Sequence, residues 1–308
     1  MATGTATIPR PGPPRPGPRA WQRPSFRDRR ATYRDMLVAH LAALAAEYPL
    51  RLLCDMPGNM GDRLIWAGTD DLLAAAGVQP VRLPVPAVPS TVARDECLVI
   101  PGSGALATIW HEWLPALVAE AADRFARVVI LPSQFDPAVP VVAAALTRPN
   151  VFAFAREPVS YARIRRFGRA VLAFDPALYA TRLPGPDACP PAADGSPRRL
   201  VAFREDPASM LSAHGCRPEP RVNHDIGRHA RNLDDFLAAV MAVDEVVTDR
   251  LHVVVAALMS GRRVRYLDPH DRKISTYVSF ILRDEKSDRV RPCAVSWLLD
   301  RGLVAGEA

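Results

Sequence analysis

Residues 245–268 read EVVTDRLHVVVAALMSGRRVRYLD, and their apolar pattern indicates the fold class. A short apolar run, EVV, comes before a polar turn, and a longer apolar segment then ends at Gly261. A second short run, RVRYL, follows almost at once. Short apolar runs are typical of buried strands, and a longer run that stops at glycine is typical of a helix. The stretch therefore predicts a strand, a helix and a further strand.

The same alternation continues on both sides of this stretch. Because each strand candidate is a nearly continuous apolar run, the pattern predicts parallel sheets that are covered on both faces. We predict an α/β fold of two Rossmann-like domains with a central cleft, where ligands bind at the carboxyl ends of strands. The further strand candidates lie at 50–56, 81–85, 96–102, 127–134, 150–158 and 200–206, and the further helix candidates lie at 33–49, 63–77, 108–126, 137–149, 232–243 and 292–303.

Two segments without apolar periodicity set the predicted boundaries. Residues 1–32 are rich in Pro, Gly and Arg and have too little apolar surface to fold alone, so we expect a disordered leader. Residues 181–198 are dense in Pro, Gly and Asp, which predicts a linker. One Rossmann-like domain would then occupy residues 33–180, and a second would occupy 199–308.

The positive charge of the chain belongs to its N-terminal end. The net charge is +6, but residues 1–34 hold eight Arg and one Asp, and the remaining 31 basic and 32 acidic residues nearly cancel. A nearly neutral body argues against a nucleic-acid partner. The basic leader is either a solvated segment or a peripheral contact with an anionic membrane face.

Cysteine spacing and hydropathy limit the class of protein. The five cysteines are scattered, and no pair has the spacing of a metal site. The sequence contains no apolar run of about 18 residues, which a membrane span needs, and its N-terminus lacks the apolar core of a signal peptide. We expect a soluble cytoplasmic protein with no metal and no cofactor.

Two glycine-punctuated turns follow strand candidates. The first contains Gly58, Asn59, Gly61 and Asp62, and the second is PGSG at 101–104. Glycine lets the backbone approach a ligand, and free N–H groups at a helix start attract anions. Each turn could equally be an ordinary tight connection, with Asp62 as a helix cap in the first. Gly102 and Gly104 are the ligand-binding candidates of the second turn.

The turn TDRLH, at 248–252, carries the strongest chemical pattern. Arg250 offers a planar fork that suits carboxylate or phosphate, and His252 can hold a proton near neutral pH. Both lie where a helix should begin, which favours a bound anion. The alternative is structural: Asp249 would cap the helix, Arg250 would pair with Asp249, and His252 would be packed in the core.

Further cations follow strands or stand out by composition. Arg156 and Arg204 each follow an apolar strand candidate and precede a glutamate. Neighbouring strand residues face opposite sides, so local pairs with those glutamates would be poor. The chain has 37 arginines and two lysines, at 273 and 286, which makes Lys273 a candidate ligand for an anion.

Four of these segments together resemble the polysaccharide pyruvyl transferase family. They are GNMGDRLIWAG (58–68), FAREPVSY (154–161), FDPAL (174–178) and VVTDRLHVVVAALMSGRRVRYLD (246–268). The resemblance spans about residues 50–285 in the order of the family, and the TDRLH segment is its most specific part. It implies a fold like that of the two-domain, glycosyltransferase-B-like enzymes.

The resemblance also implies a reaction. Phosphoenolpyruvate would be the co-substrate, and its pyruvyl group would become a ketal on a sugar of a surface polysaccharide or exopolysaccharide precursor. Such an acceptor could be lipid-linked, which would place the protein at the inner membrane face. Arg250, Arg204 and Arg156 would then clamp the donor, because each can bind an oxyanion bidentately.

Ketal formation needs an acid, a base and cations for the leaving phosphate. We assign the acid to His252, phosphate stabilisation to Arg250, and the base to Asp62 or Glu157. Two alternative hypotheses remain. The protein could be a glycosyltransferase with a nucleotide-sugar donor, or a glycan- or anion-binding module without catalysis.

Overall fold

The first half of the chain forms a parallel sheet with helices packed against it. In the computed structural model, residues 24–107, 113–167, 169–183, 198–206, 208–268, 272–283 and 288–306 are described. The helices of this half are α1 (Phe26–Glu47), α2 (Met60–Ala75), α3 (Leu114–Arg124), α4 (Pro140–Leu146) and α5 (Pro158–Ile164). The strands are β1 (Leu50–Cys54), β2 (Val81–Pro84), β3 (Ala93–Ile100), β4 (Phe125–Ser133), β5 (Val151–Ala155) and β6 (Ala170–Leu172).

The order of these strands creates a crevice. They lie in the order β2-β1-β3-β4-β5-β6, and all the pairs are parallel. The chain moves outward from β1 to β2 and then returns to the other side of β1 with β3. Such a reversal opens a crevice at the carboxyl ends of the two central strands, which is where doubly wound sheets bind ligands.

The second half builds a smaller parallel sheet in the order β11-β10-β9-β7. An antiparallel pair, β8 with β12, lies beside it. The strands are β7 (Arg199–Ala202), β8 (Cys216–Pro218), β9 (Glu245–Thr248), β10 (Arg263–Tyr266), β11 (Val290–Pro292) and β12 (Val304–Gly306). The helices are α6 (Ile226–His229), α7 (Leu233–Met241), α8 (Leu251–Met259), α9 (Lys273–Leu282) and α10 (Val295–Leu299). The predicted strand, helix and strand of residues 245–268 are thus confirmed as β9, α8 and β10.

One apolar cluster joins the two sheets. It contains Leu41 of α1, Leu64 of α2 and Val254 of α8, all with no exposed surface. The parallel α/β architecture is as predicted, whereas the division into two Rossmann-like domains stays a prediction. Most of the linker, 184–197, lies outside the described residues. No helix in the described ranges is long and apolar enough to cross a membrane.

The predicted end of the leader at residue 32 is wrong, because α1 begins at Phe26. Ser25 and Asp28 form a capping box, in which each side chain accepts the backbone N–H of the other at 3.1 Å. Arg29 is buried and donates to the carbonyls of Phe280 and Ile281 at 2.7 and 2.6 Å. Residues 26–32 therefore belong to the folded body, and residues 1–23 lie outside the described part.

Candidate functional site

A cavity of about 1160 Å³ lies at the carboxyl ends of strands from both sheets, and we call it the main cavity. Its lining includes residues that follow β1, β3, β4, β5, β7 and β9. Every site residue predicted from the sequence lines it, apart from Gly102: Gly58, Asn59, Gly61, Asp62, Gly104, Arg156, Glu157, Arg204, Arg250, His252 and Lys273.

The turn after β1 forms the N-terminus of α2. Asn59 is the N-cap, and its side chain accepts the N–H of Gly61 at 2.8 Å. Asp62 closes a capping box, because its carboxylate accepts the N–H of Asn59 at 2.9 Å. The capping alternative is therefore correct for Asp62, although the residue also faces the main cavity. One oxygen of the proposed base already holds the turn in place.

Two of the predicted glycines allow close approaches of the backbone. A Cβ on Gly61 would lie 2.8 Å from both Cβ and Nδ1 of His252, so glycine lets α2 meet α8 at the cavity. A Cβ on Gly102 would lie 2.5 Å from the carbonyl oxygen of Pro132. Gly102 thus serves the packing of the chain after β3 against β4. It does not line the main cavity, so we no longer place it on the ligand-binding surface.

The carboxylate of Asp175 contacts both Arg156, which follows a strand of the first sheet, and His252, which lies in the second half of the chain. It has no exposed surface and lies directly before a 3₁₀ turn at Pro176–Tyr179. Its Oδ2 lies 3.3 Å from Nη1 of Arg156, which follows β5. The same oxygen lies 3.4 Å from Nε2 of His252 in the first turn of α8. One buried carboxylate therefore orients a cation and an imidazole toward the same cavity.

The surroundings of Asp175 keep it ionised. Burial raises its pKa, but the hydrogen bond and charge of His252, the charge of Arg156 and the N–H of Ala177 outweigh burial and hold the pKa below its ordinary value. An ionised carboxylate can only accept hydrogen bonds, so Nε2 of His252 must carry the hydrogen that points at Asp175. In a neutral ring Nδ1 is then the nitrogen without a hydrogen.

Arg204 and Arg250 form a second cluster, held together by aspartates. Asp206 accepts from Nε and Nη2 of Arg204 at 2.8 and 3.0 Å, and also from Nη2 of Arg250 at 3.2 Å. Asp225, with no exposed surface, accepts from both Nε and Nη2 of Arg250. Burial raises the pKa of Asp206, but the hydrogen bond and charge of Arg204 bring it below its ordinary value.

This cluster shows how two members of the expected arginine clamp are held, and the clamp itself stays a prediction. Asp206 accepts from Nε and Nη2 of Arg204, and Asp225 accepts from the same two atoms of Arg250, so this edge of each guanidinium is already occupied by a carboxylate. These bidentate pairs fix where the two guanidinium groups lie at the main cavity. Asp249 is not the partner of Arg250, because its carboxylate accepts the N–H of Arg204 at 2.8 Å and the hydroxyl of Ser209 at 3.2 Å.

Arg156 and Glu157 share the end of β5 without pairing. Nη2 of Arg156 donates to Gln134 at 3.0 Å. Glu157 is the N-cap of α5, and its two oxygens accept the N–H groups of Val159 and Ser160 at 2.6 and 2.7 Å. Both carboxylate oxygens of Glu157 thus serve a cap, whereas only one oxygen of Asp62 does. Lys273, at the first position of α9, is half-buried and lines the same cavity.

The described lining of the main cavity carries a positive charge. With His252 neutral, six cationic and four acidic side chains give a net charge of two positive units. The buried carboxylates of Asp175 and Asp225, which pair with Arg156 and Arg250, lie behind this lining and offset the two units, so the cavity offers fixed cations rather than an excess of positive charge. The cations are Arg156, Arg163, Arg204, Arg228, Arg250 and Lys273, and the acids are Asp62, Asp136, Glu157 and Asp206. No group of three or more potential metal ligands occurs among the described residues.

Sequence reasoning missed the acidic residues that hold the cations. Asp175 belongs to the FDPAL segment, but nothing in the local sequence marks Asp175, Asp206 or Asp225 as a site residue except the spacing of Asp206. Asp206 lies two residues after Arg204, and alternate residues of an extended segment share a face, so this pair could have been found. Asp225 lies 25 residues before Arg250, and no local pattern joins them.

Comparisons with known proteins agree with the resemblance. A family model described as polysaccharide pyruvyl transferase matches residues 59–271. No curated protein matches the chain. The crystal structure of an uncharacterized protein from Klebsiella pneumoniae subsp. pneumoniae is similar, with a TM-score of 0.66 and 18% identity, over 85% of this chain and 98% of that one. At that identity the likeness shows the fold alone.

Proposed function

Since the chain belongs to the polysaccharide pyruvyl transferase family, we propose that it transfers the pyruvyl group of phosphoenolpyruvate onto two hydroxyls of one sugar. The acceptor would belong to a surface polysaccharide or exopolysaccharide precursor. The two sheets would then correspond to the two domains of a glycosyltransferase-B-like enzyme, with the donor between them. The family match does not favour a glycosyltransferase that uses a nucleotide sugar.

One observation carries this proposal: Asp175 contacts both Arg156 and His252, and both of these side chains line a cavity that Arg204, Arg250 and Lys273 also line. Phosphoenolpyruvate carries a carboxylate and a phosphate on three carbons, and its reaction needs both charge stabilisation and a proton source. The guanidinium of Arg156 can stabilise negative charge, and the neighbouring imidazole of His252 can supply a proton.

His252 would deliver the first proton. Protonation of the methylene carbon of the donor makes a methyl group and leaves the neighbouring carbon open to attack by a sugar hydroxyl. Asp175 fixes the ring through Nε2 and stabilises the imidazolium, so the proton would leave from Nδ1. Asp62 would accept the proton of the attacking hydroxyl, from its place at the N-terminus of α2.

A second hydroxyl then displaces phosphate. Two carbon–oxygen bonds to the sugar have formed, the ester bond to phosphate has broken, and the two hydroxyl protons have gone to the methyl group and to the phosphate product. Arg250 and Arg204 would stabilise the leaving phosphate from positions fixed by Asp206 and Asp225. Arg156 would hold the carboxylate, with Lys273 as a further cation at the cavity wall. The reaction needs no cofactor beyond the co-substrate itself.

The choice of donor can be tested by ligand-dependent thermal stability. A ligand at 100 times its Kd stabilises the native state by about 2.7 kcal/mol, which is readily measured. We expect phosphoenolpyruvate to raise Tm, and Arg250→Gln to abolish the rise. Stabilisation by a nucleotide sugar, with none by phosphoenolpyruvate, would contradict the proposal.

A further inference from the structure

Glycine at position 68 has no cause in the backbone of its own helix. Gly68 lies in the middle of α2 and is buried. Its φ is not positive, so the helical conformation does not require glycine there. Glycine in a helix interior is also less favourable than alanine, because it loses more backbone entropy on folding. The reason for a glycine at this position therefore lies in what packs against it.

The backbone of the 3₁₀ turn at Pro176–Tyr179 packs directly against Gly68. A Cβ on Gly68 would overlap the carbonyl oxygen of Pro176, and it would lie 2.5 Å from the carbonyl carbon of Pro176 and 3.2 Å from the nitrogen of Ala177. These are main-chain atoms, so no side-chain rotation relieves the overlap. Carbon atoms in contact lie about 3.5–4.0 Å apart, so a methyl group here would push α2 and the turn apart by about 1 Å or more.

The same turn fixes the position of Asp175. This residue caps the turn, because its Oδ1 accepts the N–H of Ala177 at 2.9 Å. Arg30 of α1 also holds the turn, because its Nε donates to the carbonyl of Leu178 at 2.7 Å. Asp175 precedes Pro176 in the chain and is bonded to the turn through its side chain. A shift of Pro176 therefore moves the carboxylate of Asp175 as well.

Gly61 and Gly68 together give α2 one face that meets both partners of the buried contact. They are seven residues apart, which is nearly two helical turns, so they lie on the same face about 10.5 Å apart along the axis. A Cβ on Gly61 would lie 2.8 Å from Nδ1 of His252, and Gly68 meets the turn of Asp175. The 3.4 Å contact between Oδ2 of Asp175 and Nε2 of His252 thus joins two groups that each rest on α2.

We propose that Gly68 is a positioning residue of the transferase site. By leaving room for the turn of Asp175, it sets the distance between Oδ2 of Asp175 and Nε2 of His252. Gly68 is not part of the lining of the main cavity, so its effect on turnover runs through Asp175. The inference rests on the proposed function for its consequence in turnover, whereas the orientation of the imidazole can be measured without any reaction.

The first test follows the hydrogen on the imidazole of His252 in the full chain with nitrogen-15-labelled histidine. Magnetic resonance distinguishes the two neutral tautomers at about pH 8.5, where an ordinary imidazole is neutral. The signal of His252 is identified by its loss in His252→Gln. We expect the hydrogen on Nε2 in the wild-type protein. In Gly68→Ala, as in Asp175→Asn, a population with the hydrogen on Nδ1 should appear, because no carboxylate then orients the ring.

Gly227→Ala is the matched control for this measurement. Gly227 is a buried glycine of α6, and an added Cβ would lie 2.7 Å from Cδ of Arg250. This change disturbs the second cluster of the same cavity and leaves the turn of Asp175 alone. We expect His252 to keep its hydrogen on Nε2 in Gly227→Ala. A wild-type tautomer in a folded Gly68→Ala protein, or equal changes in both variants, would overturn the proposal.

The second test compares turnover in the four combinations of Gly68→Ala and Asp175→Asn. A misplacement of about 1 Å can cost about 10²-fold in rate, and we expect Gly68→Ala alone to lower turnover per folded molecule by about that factor. Once Asp175→Asn is present, the further loss should be less than about threefold, because both changes act on one contact. Equal factors in both backgrounds would show that Gly68 acts elsewhere.

Two further outcomes are separable. If circular dichroism shows that Gly68→Ala does not fold, Pro176→Ala loosens the same turn by removing the ring that fixes φ. We expect the Nδ1 tautomer to appear in that variant too, and its absence would contradict the proposal. If phosphoenolpyruvate gives no turnover in the wild-type protein, the proposed function fails, whereas the tautomers of His252 still decide whether Gly68 positions Asp175.

Discussion

Replacing Asp175 with asparagine should separate orientation of the site from folding. The amide is the same shape as the carboxylate, and it can still accept the N–H of Ala177, which now bonds Oδ1 at 2.9 Å. What disappears is the negative charge that Arg156 and His252 share. Arg156 is 4% exposed and keeps only the amide of Gln134 among its described side-chain partners.

The loss of this charge should lower stability by a measurable amount. Removing one partner of a buried ion pair costs about 3–5 kcal/mol, and we expect the lower end because Arg156 borders a cavity that water can enter. For a chain of this size, such a loss lowers Tm by roughly 5–10 °C. The surface pair of Asp70 with Arg82, at 2.8 Å, offers a matched control, and Asp70→Asn should cost at most about 1 kcal/mol.

The pH dependence of this difference has a definite sign. Because the pKa of Asp175 is lowered in the folded state, its charge stabilises the protein fully above the ordinary carboxyl pKa of about 3.9. That contribution is lost as pH falls through the lowered folded value. The wild-type protein and Asp175→Asn should therefore differ most in stability at neutral pH, and the difference should shrink only below about pH 4.

Turnover should fall further than stability predicts. Without Asp175, His252 loses both its fixed orientation and the partner of its imidazolium, so turnover per folded molecule should drop by about 10²–10⁴. Phosphate release at saturating donor, normalised to folded protein, is the assay. Wild-type turnover in a folded Asp175→Asn protein would refute the reasoning, as would an equal loss in Asp70→Asn.

Three other changes test the contact of Gly61 with His252, the role of Arg204 and the role of the N-terminal residues. Gly61→Ala would place a methyl group against His252, so turnover should fall at least tenfold in steady-state assays while circular dichroism stays native. Arg204→Lys cannot make a fork, and phosphoenolpyruvate affinity measured by thermal shift should weaken by about tenfold; unchanged affinity would leave the residue a purely structural role. Deleting residues 1–23 should leave turnover with a soluble acceptor within twofold, whereas deleting 1–32 should also lower Tm, since it removes the first turns of α1.

Much of the fold followed from apolar patterning, and its failures have physical causes. Helix α9 was not predicted because its sequence, KISTYVSFIL, is rich in β-branched and hydroxyl residues that form helices poorly. Tertiary packing overrides that preference, since Ile274, Tyr277 and Ile281 have no exposed surface. The start of α1 was placed too late because a Pro- and Arg-rich composition hides the contacts of Arg29 with α9.

The site was predictable only in part, because some of its contacts join segments that are distant in sequence. The cations and His252 follow strands, and parallel strands bring their carboxyl ends to one edge, so sequence alone could gather them. Their acidic partners depend on how distant segments meet: Asp175 lies 77 residues before His252 in sequence. Asp225, which accepts from Nε and Nη2 of Arg250, lies 25 residues away in sequence, so this pair could not be foreseen, and capture of the donor by Arg250 stays a prediction.

Following the pyruvyl carbons from donor to sugar is the direct test of the proposed reaction. The wild-type protein is incubated in deuterated water with phosphoenolpyruvate labelled with carbon-13 at its methylene carbon, together with a panel of phosphorylated and unphosphorylated sugars. Magnetic resonance follows the label while phosphate release is measured on the same samples. We predict a pyruvyl ketal on a sugar, in which the labelled carbon is a methyl group that carries one deuterium. One phosphate should be released for each ketal formed. Phosphate release with no label on any sugar, or transfer of a glycosyl group from a nucleotide sugar by the same preparation, would contradict it.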